Sequence, residues 1–221
     1  MKKSYLYITL FISLLGLSSC DVDSEASFLE DGEDLGFTGT EDDIIDFLTE
    51  DAYQGLLDLG INVNTGNTPP DVVGSYLISP NVLKATNIPD DGFDIGDGFF
   101  DKRISFFSQN NDDLSIEYSG AQIDPEGNVT STETGAESFI TGSGNNFTII
   151  IRTNGVNQTG SGNNVSITNG LAISGTISEE GILNVESGFI IIEKTGDTED
   201  ELIDEGEGRL FEDFDGLSDR Q

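Results

Sequence analysis

The chain has 221 residues, 42 acidic against 9 basic side chains, and a formal net charge of -33. A polyanion is repelled over such a surface instead of releasing counterions from it, so nucleic acid is a disfavoured partner. There is no His, and the one Cys is Cys20; the commonest general base, every His- or Cys-built metal centre and any internal disulfide are therefore excluded.

Lys2 and Lys3 open the chain, and Tyr5–Leu17 is an apolar run interrupted only by Thr, Ser and Gly. Its length fits the core of a signal peptide and falls short of the ~20 residues of a membrane span. The run ends Leu17-Ser18-Ser19-Cys20, which resembles the lipobox of bacterial lipoproteins. The resemblance implies removal of residues 1–19 as a lipoprotein signal peptide, acylation of Cys20, and attachment to the outer membrane through that lipid anchor. Two or three acyl chains hold lastingly without a span. An ordinary secretory signal cut elsewhere, with Cys20 a lone thiol, is the alternative. Asp21, Asp23 and Glu25 follow; they resemble the surface-export signal of lipoproteins from Bacteroidetes-type bacteria, which implies exposure at the cell surface. Attachment facing the periplasm is the other possibility.

Residues 20–40 are acidic and poor in apolar groups, and they read as a flexible tether extended by its own charge. From 41 to 60 the pattern changes. Ile44, Ile45, Leu48, Ala52, Leu56 and Leu57 recur near helical spacing, with Thr40 or Thr49 placed to cap a start and Gly60 to end the last turn. One kinked helix or two short ones are expected there, forming a helical cap.

Past Pro69-Pro70 the period becomes two, as in Leu114-Ile116-Tyr118 and in Val165 through Ile177. Eight strands are expected, at 72–79, 101–108, 112–119, 136–142, 146–153, 164–178, 182–194 and 207–212. Turn signals separate them, among them Gln109–Asp112 and Glu179-Glu180-Gly181. Short connections favour antiparallel neighbours, and a meander of eight can close on itself and so remove its edges. In Phe189-Ile190-Ile191-Ile192 both faces are apolar, so the cap at 41–60 is expected to cover that strand from outside. The expected fold is mainly β: an eight-stranded antiparallel up-and-down barrel over 69–213 with an N-terminal helical cap, followed by an acidic tail at 214–221.

Pro69-Pro70-Asp71-Val72-Val73-Gly74-Ser75-Tyr76-Leu77 looks like the first strand of lipocalin-like domains, and the order of elements resembles the lipocalin-like lipoproteins of Bacteroidetes-type bacteria. Those usually carry Trp where this chain has Tyr76. Tyr76, Phe106 (or Phe107), Ile116, Phe147, Ile149, Leu171 and Phe189 are the side chains expected to line the interior. They either fill it or surround one small apolar ligand.

The loop Asp90–Asp101 repeats carboxylates with glycines between. Asp91, Asp94, Asp97 and Asp101 are the oxygen donors a Ca²⁺ ion would use, although the spacing is not that of an EF-hand, and a solvated acidic loop explains the same residues. Glu212–Asp219 repeats the logic near the C-terminus, where disorder is simpler. Thr141–Asn146 and Thr159–Asn164 share Thr-Gly-Ser-Gly-Asn-Asn but lack the Lys and helix of a phosphate loop. No nucleophile elbow is present, and among so many acids a hydrolytic carboxylate pair gives no distinguishable signal. A non-catalytic, monomeric binding or interaction lipoprotein is expected, its partner an envelope protein or glycan and no resident cofactor required. A carrier of a small apolar ligand, or less readily a carboxylate-dependent hydrolase, is the alternative.

Overall fold

A computed structural model of the protein describes residues 36–135 and 137–221. The expected signal peptide, Cys20 and most of the tether lie outside the described residues.

A capping box starts α1 (Glu41–Leu48): the Thr40 hydroxyl accepts the Asp43 amide at 3.3 Å while the Asp43 carboxylate accepts the Thr40 amide at 2.9 Å. Thr49 then ends one helix and begins the next, α2 (Glu50–Leu59), accepting the Ala52 amide at 3.2 Å. Gly60 closes α2 in the left-handed conformation, φ 94°. Two short helices result, and both threonines cap.

The strands are β1 (Asn67–Thr68), β2 (Gly74–Ile78), β3 (Asn81–Thr86), β4 (Asp101–Asn110), β5 (Ser115–Ile123), β6 (Val129–Thr134), β7 (Glu137–Ser143), β8 (Asn146–Gln158), β9 (Asn164–Ile177), β10 (Gly181–Thr195), β11 (Gly208–Asp213) and β12 (Leu217–Arg220). The protein is mainly β, and its sheet is ring-like. Antiparallel pairing runs in chain order through β2, β4, β5, β7, β8, β9, β10 and β12, and β12 pairs back to β2. The β5–β7 junction is the narrowest, with Ser115 opposite Phe139 and the Ile140 amide donating to the Leu114 carbonyl at 2.8 Å. The other strands hang from the ring: β6 on β5, β1 parallel to β7, and β11 on β10 with β3 beyond it.

Strand alternation sorts the apolar residues into two cores. Ile149, Ile151, Leu171 and Ile173 join residues from β2, β4, β5, β7 and β10 in the cluster inside the ring. Their neighbours Ile150 and Ala172 point outward and, with Phe139, Ile190 and Leu210, meet Ile44, Phe47, Leu48 and Leu56 of the helices. The helical cap thus covers Ile190, as the doubly apolar run at 189–192 requires. A Cβ on Gly55 would come within 2.9 Å of the Ile190 side chain, so the absence of a side chain there permits the close approach.

Two expected boundaries change. Phe37, assigned by sequence to the tether, stacks on Phe139 at 4.4 Å and belongs to the folded body. The expected eighth strand, 207–212, is β11 and lies off the ring. The place in the ring falls to β12, within the segment read as an acidic tail at 214–221. Leu217-Ser218-Asp219-Arg220 has one apolar side chain and no alternation to announce it; its strand conformation comes from pairing with β10 and β2.

Candidate functional site

Tyr76, Phe106, Ile116, Phe147, Ile149 and Leu171 do converge, and Phe189 packs against them. The Phe106 ring lies 6.1 Å from Tyr76, 6.0 Å from Tyr118 and 6.4 Å from Phe147, so aromatic contacts cross the interior. Of the six converging side chains the most exposed is Leu171 at 4 %, and Tyr76, Phe147 and Ile149 are at 0 %. Surfaces that no water-sized sphere can touch border no space a ligand could occupy, so around these residues the interior is filled.

The tyrosines carry polar tips into this apolar volume, and both are satisfied. Tyr76 donates to the Val72 carbonyl at 2.9 Å, with the Arg220 guanidinium 4.9 Å above its ring. Tyr118 donates to Glu133, whose carboxylate also meets Lys102 at 2.7 Å. Burial pushes the Tyr118 phenol far up, and the Glu133 charge adds to the push. Burial would raise Glu133 as well, but Lys102 and the Tyr118 hydroxyl hold it below its ordinary value.

Val165, Ile167 and Ile191 extend the apolar volume at one end, where Phe189, Leu202 and Ile203 pack on them. Lys194 fastens that loop, reaching Asp204 at 2.6 Å, Asp197 at 3.0 Å and the Leu202 carbonyl at 3.0 Å. Nothing in the spacing of 196–207 marks it as the cover of that end. Asp197, Asp200 and Asp204 around Lys194 are the available signal.

The acidic loop is spent differently from the expectation. Asp91 receives two hydrogen bonds from Arg209, at 2.8 and 2.7 Å, and one from Thr86 at 2.6 Å. The Arg209 hydrogen bonds hold its carboxyl well below the usual range against the opposing effect of burial. The Asp97 carboxylate accepts the Asp94 amide at 2.9 Å, and Asp101 opens β4 opposite Ile123. Among the described residues no group of three or more His, Cys, Asp or Glu gathers as a metal set. An arginine from β11, far away in sequence, claims Asp91.

The ring carries its open concavity on the outside. Beyond the helical cover, whose limit is marked by Arg152 donating to the Phe47 carbonyl at 3.4 Å, β8, β9 and β10 continue as a three-stranded ribbon. Asn154, Thr168 and Glu193 form one cross-strand row and Val156, Ser166 and Thr195 the next. These residues line a groove of about 510 Å³. Its surface is amide, hydroxyl and carboxylate, with Val156 66 % exposed. The opposite face of the same ribbon, at Ile167 and Lys194, is the one covered by the 197–205 loop.

At the point where the sheet branches, β11 gives way to β12 and β2 to β3. Asp213 accepts from the Ser218 hydroxyl at 2.7 Å and the Ser79 amide at 3.3 Å through one oxygen, Oδ2. Its Oδ1, and Oδ1 of Asn81, are buried without a hydrogen-bond partner. Burial pushes the Asp213 carboxyl above its ordinary range against those two hydrogen bonds, and the neighbouring Asp215 carboxylate adds to the push.

Comparison of the chain with protein-family models, with curated proteins and with solved structures finds no match.

Proposed function

We propose that the protein is a lipid-anchored, non-catalytic interaction module of the outer membrane, exposed at the cell surface. In this reading the ring is an eight-stranded lipocalin-like barrel whose filled interior serves as a scaffold, and its outer groove meets an envelope protein or glycan. The filled interior carries the proposal. A carrier needs a pocket of a few hundred Å³, and Tyr76, Phe106 and Phe147 stand where that pocket would be, at 0 to 1 % exposure. A carboxylate hydrolase needs a free desolvated acid in a cleft. Glu133 and the buried Glu186 are each held by a lysine, Lys102 at 2.7 Å and Lys84 at 2.6 Å, and the buried Asp213 lies at the branch of the sheet and is not among the residues that line the groove.

The anchor is supported by Lys2, Lys3, the apolar run and Leu17-Ser18-Ser19-Cys20. Residues 21–36 separate Cys20 from Phe37, and even fully extended they reach at most ~60 Å. The partner is therefore sought close to the membrane.

A photo-crosslinking residue at 156 or 168 of the lipidated protein in its own cells tests the proposal, with position 107 on β4 as control. One recurrent envelope partner captured from the groove positions alone is expected, together with loss of palmitate labelling in Cys20→Ser. Equal capture from position 107, no capture from either groove position, or a Cys20→Ser protein that remains labelled would overturn it.

A further inference from the structure

The branch point of the sheet contains an electrostatic problem that the protein's own groups leave unsolved. Asn81 and Asp213 are directly paired residues of β3 and β11, so their side chains share one face with Cβ atoms ~5 Å apart. Both are more than nine-tenths buried, at 6 % and 4 % exposure, and the Oδ1 of each lacks a donor. The Asn81 amide nitrogen donates to the Phe100 carbonyl at 3.1 Å. That bond fixes which end of the amide presents oxygen.

The Asp215 side chain lies within hydrogen-bond reach of the Asp213 carboxyl and, with burial, pushes it up. Its own Oδ1 accepts the Leu217 amide at 3.1 Å, and the turn is pinned to its neighbours by the Phe214 amide on the Pro80 carbonyl at 3.0 Å and the Asn184 amide on the Gly216 carbonyl at 3.0 Å. Among the described residues no lysine or arginine forms an ion pair with Asp213 or Asp215. Buried polar oxygens without donors, beside a second carboxylate, are costly unless a proton or a cation joins them.

We infer that Asn81, Asp213 and Asp215 form a Ca²⁺ site that clamps the β11–β12 turn to the β2–β3 turn. The donors are hard oxygens, one neutral amide and two carboxylates whose combined charge matches a divalent cation. Ca²⁺ accepts six to eight oxygens in irregular arrangements and completes its shell with carbonyls and water, whereas Mg²⁺ demands a near-ideal octahedron. Asp215 is exposed, which gives the ion an entry path. A bridging water would satisfy the two buried oxygens without drawing on Asp215, and a proton shared by the two carboxyls would leave the Asn81 oxygen without a donor. Because β12 joins β10 to β2 here, the ion would secure the ring at the strand that closes it.

The test titrates CaCl₂ into the mature chain in physiological salt with millimolar magnesium, read by calorimetry and by thermal melting. One saturable site is expected, with a Kd of about 10⁻⁴–10⁻³ M as in extracellular modules and a melting temperature that rises with occupancy. Asp215→Asn, at an exposed position where folding is not at stake, should weaken binding at least ~10-fold, a loss of about 1.4 kcal/mol, with its circular dichroism unchanged. Asp94→Asn with Asp97→Asn should leave binding as it was. Absence of a saturable site, binding indifferent to Asp215→Asn, or binding lost in the Asp94/Asp97 variant would each overturn the assignment.

Discussion

Arg209 decides what the acidic loop does. Its guanidinium grips Asp91 with two hydrogen bonds and lies 5.1 Å from the centre of the Phe93 ring, so the loop is fastened to β11 by a charge-assisted fork. The pair is mostly buried, with Arg209 at 18 % and Asp91 at 5 % side-chain exposure. Asp91→Asn should cost about 2 kcal/mol near neutral pH. The folded-state pKa of Asp91 is depressed, so its contribution is present above the unfolded value of ~3.9 and fades as the pH falls below it. Urea unfolding of wild type and Asp91→Asn at pH 7 and about pH 3 should therefore show a gap that narrows in acid; a gap that widens in acid would contradict the pairing. Loop composition shows that these carboxylates exist, but which one meets a cation depends on a strand more than a hundred residues away. The apolar interior was easier to read. Tyr76, Phe106, Ile116, Phe147, Ile149 and Leu171 announce themselves by alternation, because one face of a strand must be buried and its residues lie two apart.

At the scale of elements, local chemistry was visible in sequence wherever it decides the outcome. Thr40, Thr49 and Gly60 bound the helices because the groups that satisfy a helix end are adjacent to it in sequence. Strands made by their neighbours were not visible. Val129-Thr130-Ser131-Thr132-Glu133-Thr134 forms β6 although most of it is exposed, because β5 offers an edge to pair with. In β12 the decisive residue is polar: Ser218, at 0 % exposure, points its hydroxyl at Asp213. Removing 214–221 should therefore open the ring between β10 and β2 and uncover Tyr76 and Ile182. A loss of at least ~3 kcal/mol is expected, as for a large excavation of a core. Denaturant unfolding of the truncated chain measures it, and a change within ~0.5 kcal/mol, the ordinary range for surface alterations, would mean that the segment is only a tail.

The whole molecule combines a filled ring with a chain of net charge -33, whose self-repulsion opposes close approach of further copies. Sequence pattern conveys that strands are numerous and antiparallel, because alternation and turn chemistry are local. It does not convey whether the enclosed volume is filled, since that depends on how rings from β2, β4, β5 and β8 meet across the interior. The filled interior separates a scaffold from a carrier. Native mass spectrometry of a chain beginning at residue 21, produced in its own host and titrated with fatty acids, tests that most directly. The account predicts the bare polypeptide mass with no stoichiometric uptake; a molecule retained through purification and released on unfolding, or one-to-one uptake on titration, would contradict it.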